Sequence, residues 1–76
     1  MKALVEHIAK SLVARPDEVS VHETEGERTI IIELRVAADD LGKVIGKAGK
    51  MAQAMRTIVA AAAVRTGKRC VLEIIE

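Results

Sequence analysis

Chemistry in this chain is confined to one stretch, Leu41-Gly42-Lys43-Val44-Ile45-Gly46-Lys47-Ala48-Gly49-Lys50. Its residue types suit the capture of an anion, not a reaction. Leu41, Val44 and Ile45 stand at helical spacing, two glycines three apart interrupt the pattern, and a longer helical pattern restarts at Met51. Two helices therefore meet at a very short hinge. Gly46 can end the first helix with a positive φ, and with no Cβ at Gly46 or Gly49 a ligand backbone can approach the turn closely. The following helix directs its free N–H groups and positive dipole end to the same place, and Lys43, Lys47 and Lys50 add charge around it. The guest this chemistry fits is a phosphate-bearing backbone. Taken alone, Gly-x-x-Gly also fits a plain helix corner with solvated lysines, so the rest of the chain has to decide.

Other chemistries find little support. A nucleotide-binding phosphate loop is excluded, because Gly42-x-x-x-Gly46-Lys47-Ala48 is one residue short and has Ala where a magnesium-ligating Ser or Thr belongs. His7 and His22 have no partner motif, and no paired carboxylate, Ser-His or Cys-His arrangement accompanies them. An enzyme is not expected, nor is a cofactor or a metal site. Cys70 lies in an apolar run and has no partner for an internal disulfide, which fits a buried small hydrophobe in a reducing cytosol. The N-terminal residues show no cleavage-site pattern, and no segment approaches a membrane span. A soluble, cytoplasmic protein without membrane partners is the expectation.

Net charge is only +1, but its distribution is uneven. Residues 1–40 carry five basic and nine acidic side chains, whereas residues 41–76 carry seven basic and two acidic ones, Glu73 and Glu76. From Leu41 to Leu72 there is no acid at all. The basic half coincides with the glycine turn, as an electrostatic footprint for a polyanion should.

The elements that must hold this turn follow from periodicity. Seventy-six residues make one small domain, and half of them are apolar with no aromatic, so the core is built from Ile, Leu, Val, Met and Ala. That composition argues against recognition by aromatic stacking on a sheet. Lys2 to about Ala14 reads as an amphipathic helix with Leu4, Val5, Ile8 and Leu12 on one face, ended by Arg15-Pro16. Val19–Thr24 alternates as a half-buried strand, Glu25-Gly26-Glu27 turns the chain, and Arg28–Val36 is the strongest strand signal, with Ile30, Ile32, Leu34 and Val36 on one face. Ala38-Asp39-Asp40 supplies an aspartate as N-cap of the short helix before the glycine turn. Lys50 to about Thr66 is the longest helix, with Met51, Met55 and Ile58 on its inner stripe and Gly67 closing it. Ile58–Val64 is apolar all round, which predicts a homodimer contact at Val59 and Ala63, away from that stripe. Cys70–Glu76 is a last strand, apolar on both faces, interior or meeting a partner. The order α-β-β-α-α-β, an α+β arrangement, places the glycine turn between the second and third helices.

Ile45-Gly46-Lys47-Ala48-Gly49-Lys50 resembles the Ile-Gly-x-x-Gly loop of KH domains, nucleic-acid-binding modules whose loop clamps about four nucleotides. The run from Asp40 through Arg56 is similar to the small single-domain bacterial KH proteins of the KhpA type. The resemblance covers nearly the whole chain, because the element order is that of a type II KH domain. It implies one KH domain over residues 1–76, with three helices packed on one face of a three-stranded mixed sheet. It further implies single-stranded RNA held by Lys43, Ile45, Gly46, Lys47, Ala48, Gly49 and Lys50, with Leu41, Val44 and Ile45 as candidate groove walls. Broad sequence preference and a role as RNA chaperone or post-transcriptional regulator, connected with cell shape, come with it. So do a homodimer and association with a larger KH-containing protein of the Jag type. One departure is Ala48, where many KH loops carry a second polar or basic residue. The alternative is an assembly module that keeps the fold, uses the Ala-rich helix and binds little RNA. Single-stranded DNA is a further alternative, since this groove chemistry does not register the 2′-OH.

Overall fold

The computed structural model describes residues 1–76. Helix α1 spans Lys2–Leu12, strands β1 and β2 span Ser20–Glu25 and Thr29–Arg35, helices α2 and α3 span Leu41–Ile45 and Lys50–Ala63, and strand β3 spans Arg69–Ile74. Short 3₁₀ turns occupy Pro16–Glu18, Ala38–Asp40, Lys47–Gly49 and Val64–Thr66. The α-β-β-α-α-β order and the α+β class are as read from periodicity.

The β1 and β2 strands form an antiparallel hairpin, with Thr24 opposite Ile31 and Val21 opposite Leu34. Strand β3 runs parallel to β2, so the sheet is mixed and β2 is its centre. Parallel neighbours need a crossover, and α2 with α3 provides it. The glycine turn sits inside that crossover. Ile30, Ile32 and Leu34 of β2 turn one face to the core, where they meet Val5 and Ala9 of α1, Met55 and Val59 of α3, Val21 and Leu72. Strand β3 is an edge, so it is not an interior strand. Leu72 is buried under α3, while Val71 and Ile75 lie half-buried on the open side of the sheet.

Two expectations need correction. Val59 and Ala63 are each only 1% exposed and belong to the core, so they cannot carry a dimer contact. The inner stripe of α3 is Ala52, Met55, Val59 and Ala63, whereas Ile58 and Val64 are 46% and 76% exposed. Two of these four inner positions are alanines, which let the helix lie close to the sheet but give no strong apolar signal.

The second correction concerns Asp40. It stands at the N-terminus of α2, yet its side chain makes no capping bond there. The carboxylate is 1% exposed and accepts the N–H of Ala14 at 3.1 Å, the N–H of Arg15 at 3.0 Å and the Lys43 ammonium at 3.2 Å. These bonds pull the chain out of α1 at Val13, which is extended, and explain why the helix stops two residues before the sequence predicts. The Ala14 N–H, with the Arg15 N–H and Lys43, holds the Asp40 carboxyl below the usual carboxylate range against the opposing effect of burial. A carboxyl lowered in this way stabilises the fold above its ordinary pKa, and that contribution disappears as pH falls through the lowered value.

Candidate nucleic-acid interface

The turn between α2 and α3 is built from backbone geometry that few residues tolerate. Gly46 ends α2 with φ 77° and ψ 173°, a region open essentially to glycine alone, and donates its N–H to Gly42 at 2.8 Å. A Cβ there would stand 2.6 Å from Met51 Cβ and 2.8 Å from Met51 N. Gly46 is thus required by dihedral and by space. Gly49 has φ 73° and donates to the Gly46 carbonyl at 3.1 Å, but open space surrounds it.

Between them, Ala48 is also left-handed, at φ 55° and ψ 27°, and is the one non-glycine residue of the chain with positive φ. Left-handed conformation costs a residue with a Cβ roughly 1–2 kcal/mol. Glycine in its place would lose about 0.4–1 kcal/mol of that gain through its freer unfolded chain. Ala48→Gly is therefore expected to stabilise the fold by about 0.5–1 kcal/mol, read from the denaturation midpoint. A destabilised variant would contradict the left-handed assignment.

This conformation leaves backbone donors without an acceptor in the turn. Lys47 and Ala48 take the first two positions of the 3₁₀ turn, where an N–H has no acceptor within the turn. A negative-φ residue followed by a left-handed one gathers successive N–H groups into an anion-binding concavity. The start of α3, fourteen residues long, adds its positive dipole end. Lys47, Ala48 and Lys50 are exposed, and Ile45, Gly46 and Gly49 half-buried.

The structure brings most of the sequence-predicted site residues together around this turn, with three differences. Lys43 is tied to Asp40 and so is partly neutralised. Val44 is fully buried and serves the core, not a groove wall. Leu41 faces away from the turn into a hollow of about 180 Å³ shared with Arg35, Val36 and Ile75.

Sequence reasoning missed a second set of residues. A cleft of about 360 Å³ opens between α3 and the free edge of β3, lined by Gln53, Arg56 and Thr57 on the helix and by Arg69, Cys70 and Leu72 on the strand. It begins one helical turn beyond Lys50. Arg69 and Ile75 direct their N–H groups to β2, so the intervening Cys70 and Leu72 direct theirs to the open edge. Arg56 donates its Nε–H to the Leu72 carbonyl at 3.4 Å and covers part of that edge. The signal was present in the polar face of α3, where Lys50, Gln53 and Arg56 recur every three residues from the glycine turn. Lys68 pairs with Glu25 at the hairpin end, and this holds the Glu25 carboxyl below its ordinary range. Eight Lys and Arg side chains form no ion pair, and five of them, Lys47, Lys50, Arg56, Arg65 and Arg69, lie on the turn, the cleft and the end of α3, whereas Lys2, Arg28 and Arg35 lie elsewhere.

No grouping of metal ligands exists, and His7 and His22 are both exposed. The Cys70 thiol is pushed up by burial and then by the Glu23 carboxylate, which keeps it protonated and a poor nucleophile. No helix is long and apolar enough to cross a membrane.

A family model described as KhpA/KhpB, KH domain matches residues 2–74. The chain belongs to the KhpA/KhpB KH-domain family. The α+β order, with three helices and a three-stranded mixed sheet, is consistent with a KH fold. Curated relatives cover the domain almost end to end. The RNA-binding protein KhpA of Clostridium acetobutylicum is 61% identical over 75 residues, spanning 99% of this chain and 100% of that protein. Its namesake in Clostridium perfringens is 57% identical over the same spans. The RNA-binding protein KhpA of Aquifex aeolicus is 55% identical over 76 residues, spanning 100% of this KH chain and 96% of the relative. No solved structure matches significantly.

Proposed function

We propose that the chain, read as one KH domain over residues 1–76, is an RNA-binding module that clamps the backbone of single-stranded RNA. The observation that carries this reading is the turn at Gly46–Gly49, where the N–H groups of Lys47 and Ala48 have no acceptor within the turn and stand beside the unpaired cations Lys47 and Lys50. That relatives over the full chain are named RNA-binding proteins supports it. Phosphates lie on the turn, Ile45 gives an apolar support beside it, and bases enter the cleft along α3 past Gln53 and Arg56. Lys43 plays the lesser part, because its charge is shared with Asp40. No side chain supplies a nucleophile or a general base in this cleft, so the reading is one of binding without catalysis.

Phosphate contact predominates in such a site, so sequence preference is broad. That suits an RNA chaperone or post-transcriptional regulator in the cytoplasm. The test is fluorescence anisotropy with a labelled single-stranded RNA pool at 50 and 200 mM salt. Three or four phosphate contacts to a single strand predict a slope near −2 to −3 and an affinity loss of roughly 20–50-fold between those conditions. No binding, or binding indifferent to salt, would defeat the reading. A single-stranded DNA pool bound as tightly would show that the 2′-OH is not sensed.

A second reading, assembly through α3, is favoured by Ile58 and Val64, the two most exposed large apolar side chains of the fold. The partner is then a second copy or a larger KH-containing protein of the Jag type, and avidity would raise the RNA affinity of a small clamp. Wild type should sediment as a dimer at micromolar concentration and Ile58→Asp as a folded monomer. A wild type that remains monomeric would remove this reading.

A further inference from the structure

Helix α2 has five residues, too few to hold its shape unaided, and it delivers a turn with three positive-φ residues, Gly46, Ala48 and Gly49. Strained backbone persists only where its surroundings over-determine it. Three attachments do this: Val44 in the core, the close approach of Gly46 to Met51, and Asp40 at the start of α2. The third is the unexpected one. Asp40 is the sole buried charged residue, and its partners lie 25 and 26 residues earlier in the chain, at the exit of α1.

We propose that Asp40 is a positioning residue for the phosphate clamp: its carboxylate clasps the backbone of Ala14 and Arg15 to the start of α2 and thereby holds the Gly46–Gly49 turn in its binding shape. This rests on the RNA-clamp reading. The clasp works at both ends of one short segment. Its N–H donates to the Ala37 carbonyl at 2.8 Å, its side chain takes two amides from the exit of α1, and Lys43, one turn into α2, closes over the same oxygen as Ala14. A carboxylate is needed because both oxygens must accept. Asparagine would set an NH₂ group against either the Arg15 N–H or the Ala14 N–H and Lys43, leaving donors facing donors in a site without water access.

The consequence is a population effect. If loss of the clasp leaves the turn formed in about one molecule in ten, apparent RNA affinity falls about tenfold without any phosphate contact being altered in the bound state. Asp40→Asn is therefore expected to weaken RNA binding about tenfold at a temperature where circular dichroism shows it folded. The substitution frees the Lys43 ammonium, so the salt slope should be no shallower than that of wild type. Val21→Ala, a core truncation on β1, gives a destabilised control and should bind within about twofold of wild type. Asp40→Asn affinity equal to wild type, or a loss matched by Val21→Ala, would overturn the proposal.

Amide exchange in the wild-type protein provides a readout that needs neither ligand nor variant. Ala14 and Arg15 should open with the same free energy as Gly46 and Gly49, and below that of the β2 amides. Separate opening of the two pairs would contradict the clasp. If wild type fails to bind RNA, the function reading falls, while common opening of these amides would still support Asp40 as the holder of the turn.

Discussion

Gly46→Ala is expected to lower stability by roughly 2–6 kcal/mol and to abolish RNA binding with it. Two separate effects add. The dihedrals at Gly46 lie in a region essentially reserved for glycine, which costs a residue with a Cβ about 1–3 kcal/mol. The new methyl would also press on Met51 Cβ at 2.6 Å and Met51 N at 2.8 Å, and because these belong to the first turn of α3 they cannot swing aside. Overpacking of this kind costs about 1–3 kcal/mol more. For a domain of this size each kcal/mol moves Tm by about 4–8 °C, so a fall of at least about 8 °C should appear in a thermal melt. Gly49→Ala is the matched comparison. It carries a similar positive φ but has open space around it, so it should cost only about 1–2 kcal/mol. Equal losses in the two variants would contradict the packing of α2 against α3 described here.

That comparison shows how far the sequence could be read. Two glycines three apart announced a turn, and the break in apolar periodicity on either side announced its two helices. The unequal duties of the glycines were not legible, because only Gly46 has the backbone of the next helix pressed against it. Strand β2 was legible for a simple reason. Ile30, Ile32 and Leu34 are large, alternate strictly and all face the core.

Helix α3 was misread where its packing depends on alanine. Met55 announces an inner face, but Ala52 and Ala63 extend it without bulk, so Ile58 looked inner and Val59 outer when the reverse holds. Asp40 was misread because a local rule makes an aspartate before a helix its N-cap, whereas its hydrogen-bond partners are brought to it by the fold. Charge was legible as an imbalance between halves. Which cations remain free was not, since Asp40 and Glu25 neutralise Lys43 and Lys68 across the chain. Arg56 and Arg69 come together only because β3 returns beside β2 as an edge strand beneath α3.

The second large effect concerns the turn itself. Replacing Lys47 and Ala48 by aspartate puts two carboxylates where phosphate oxygens would sit, and removes one of the two free cations at the turn. Like charges brought together in a recognition site cost several kcal/mol, so affinity should fall by at least about 100-fold. The fold should survive. Aspartate is among the residues that enter the left-handed region most readily, so position 48 can keep its conformation. Both side chains are exposed, and stability should change by no more than about 0.5 kcal/mol.

The central claim, that this KH domain holds single-stranded RNA by its glycine turn, is tested most directly by anisotropy titration of wild type against the Lys47→Asp, Ala48→Asp double variant, with thermal melts of both. Salt-sensitive binding by wild type, lost in a variant that melts at the same temperature, is the predicted result. Equal RNA affinity in the two proteins would contradict it and leave the exposed face of α3, at Ile58 and Val64, as the working surface of the molecule.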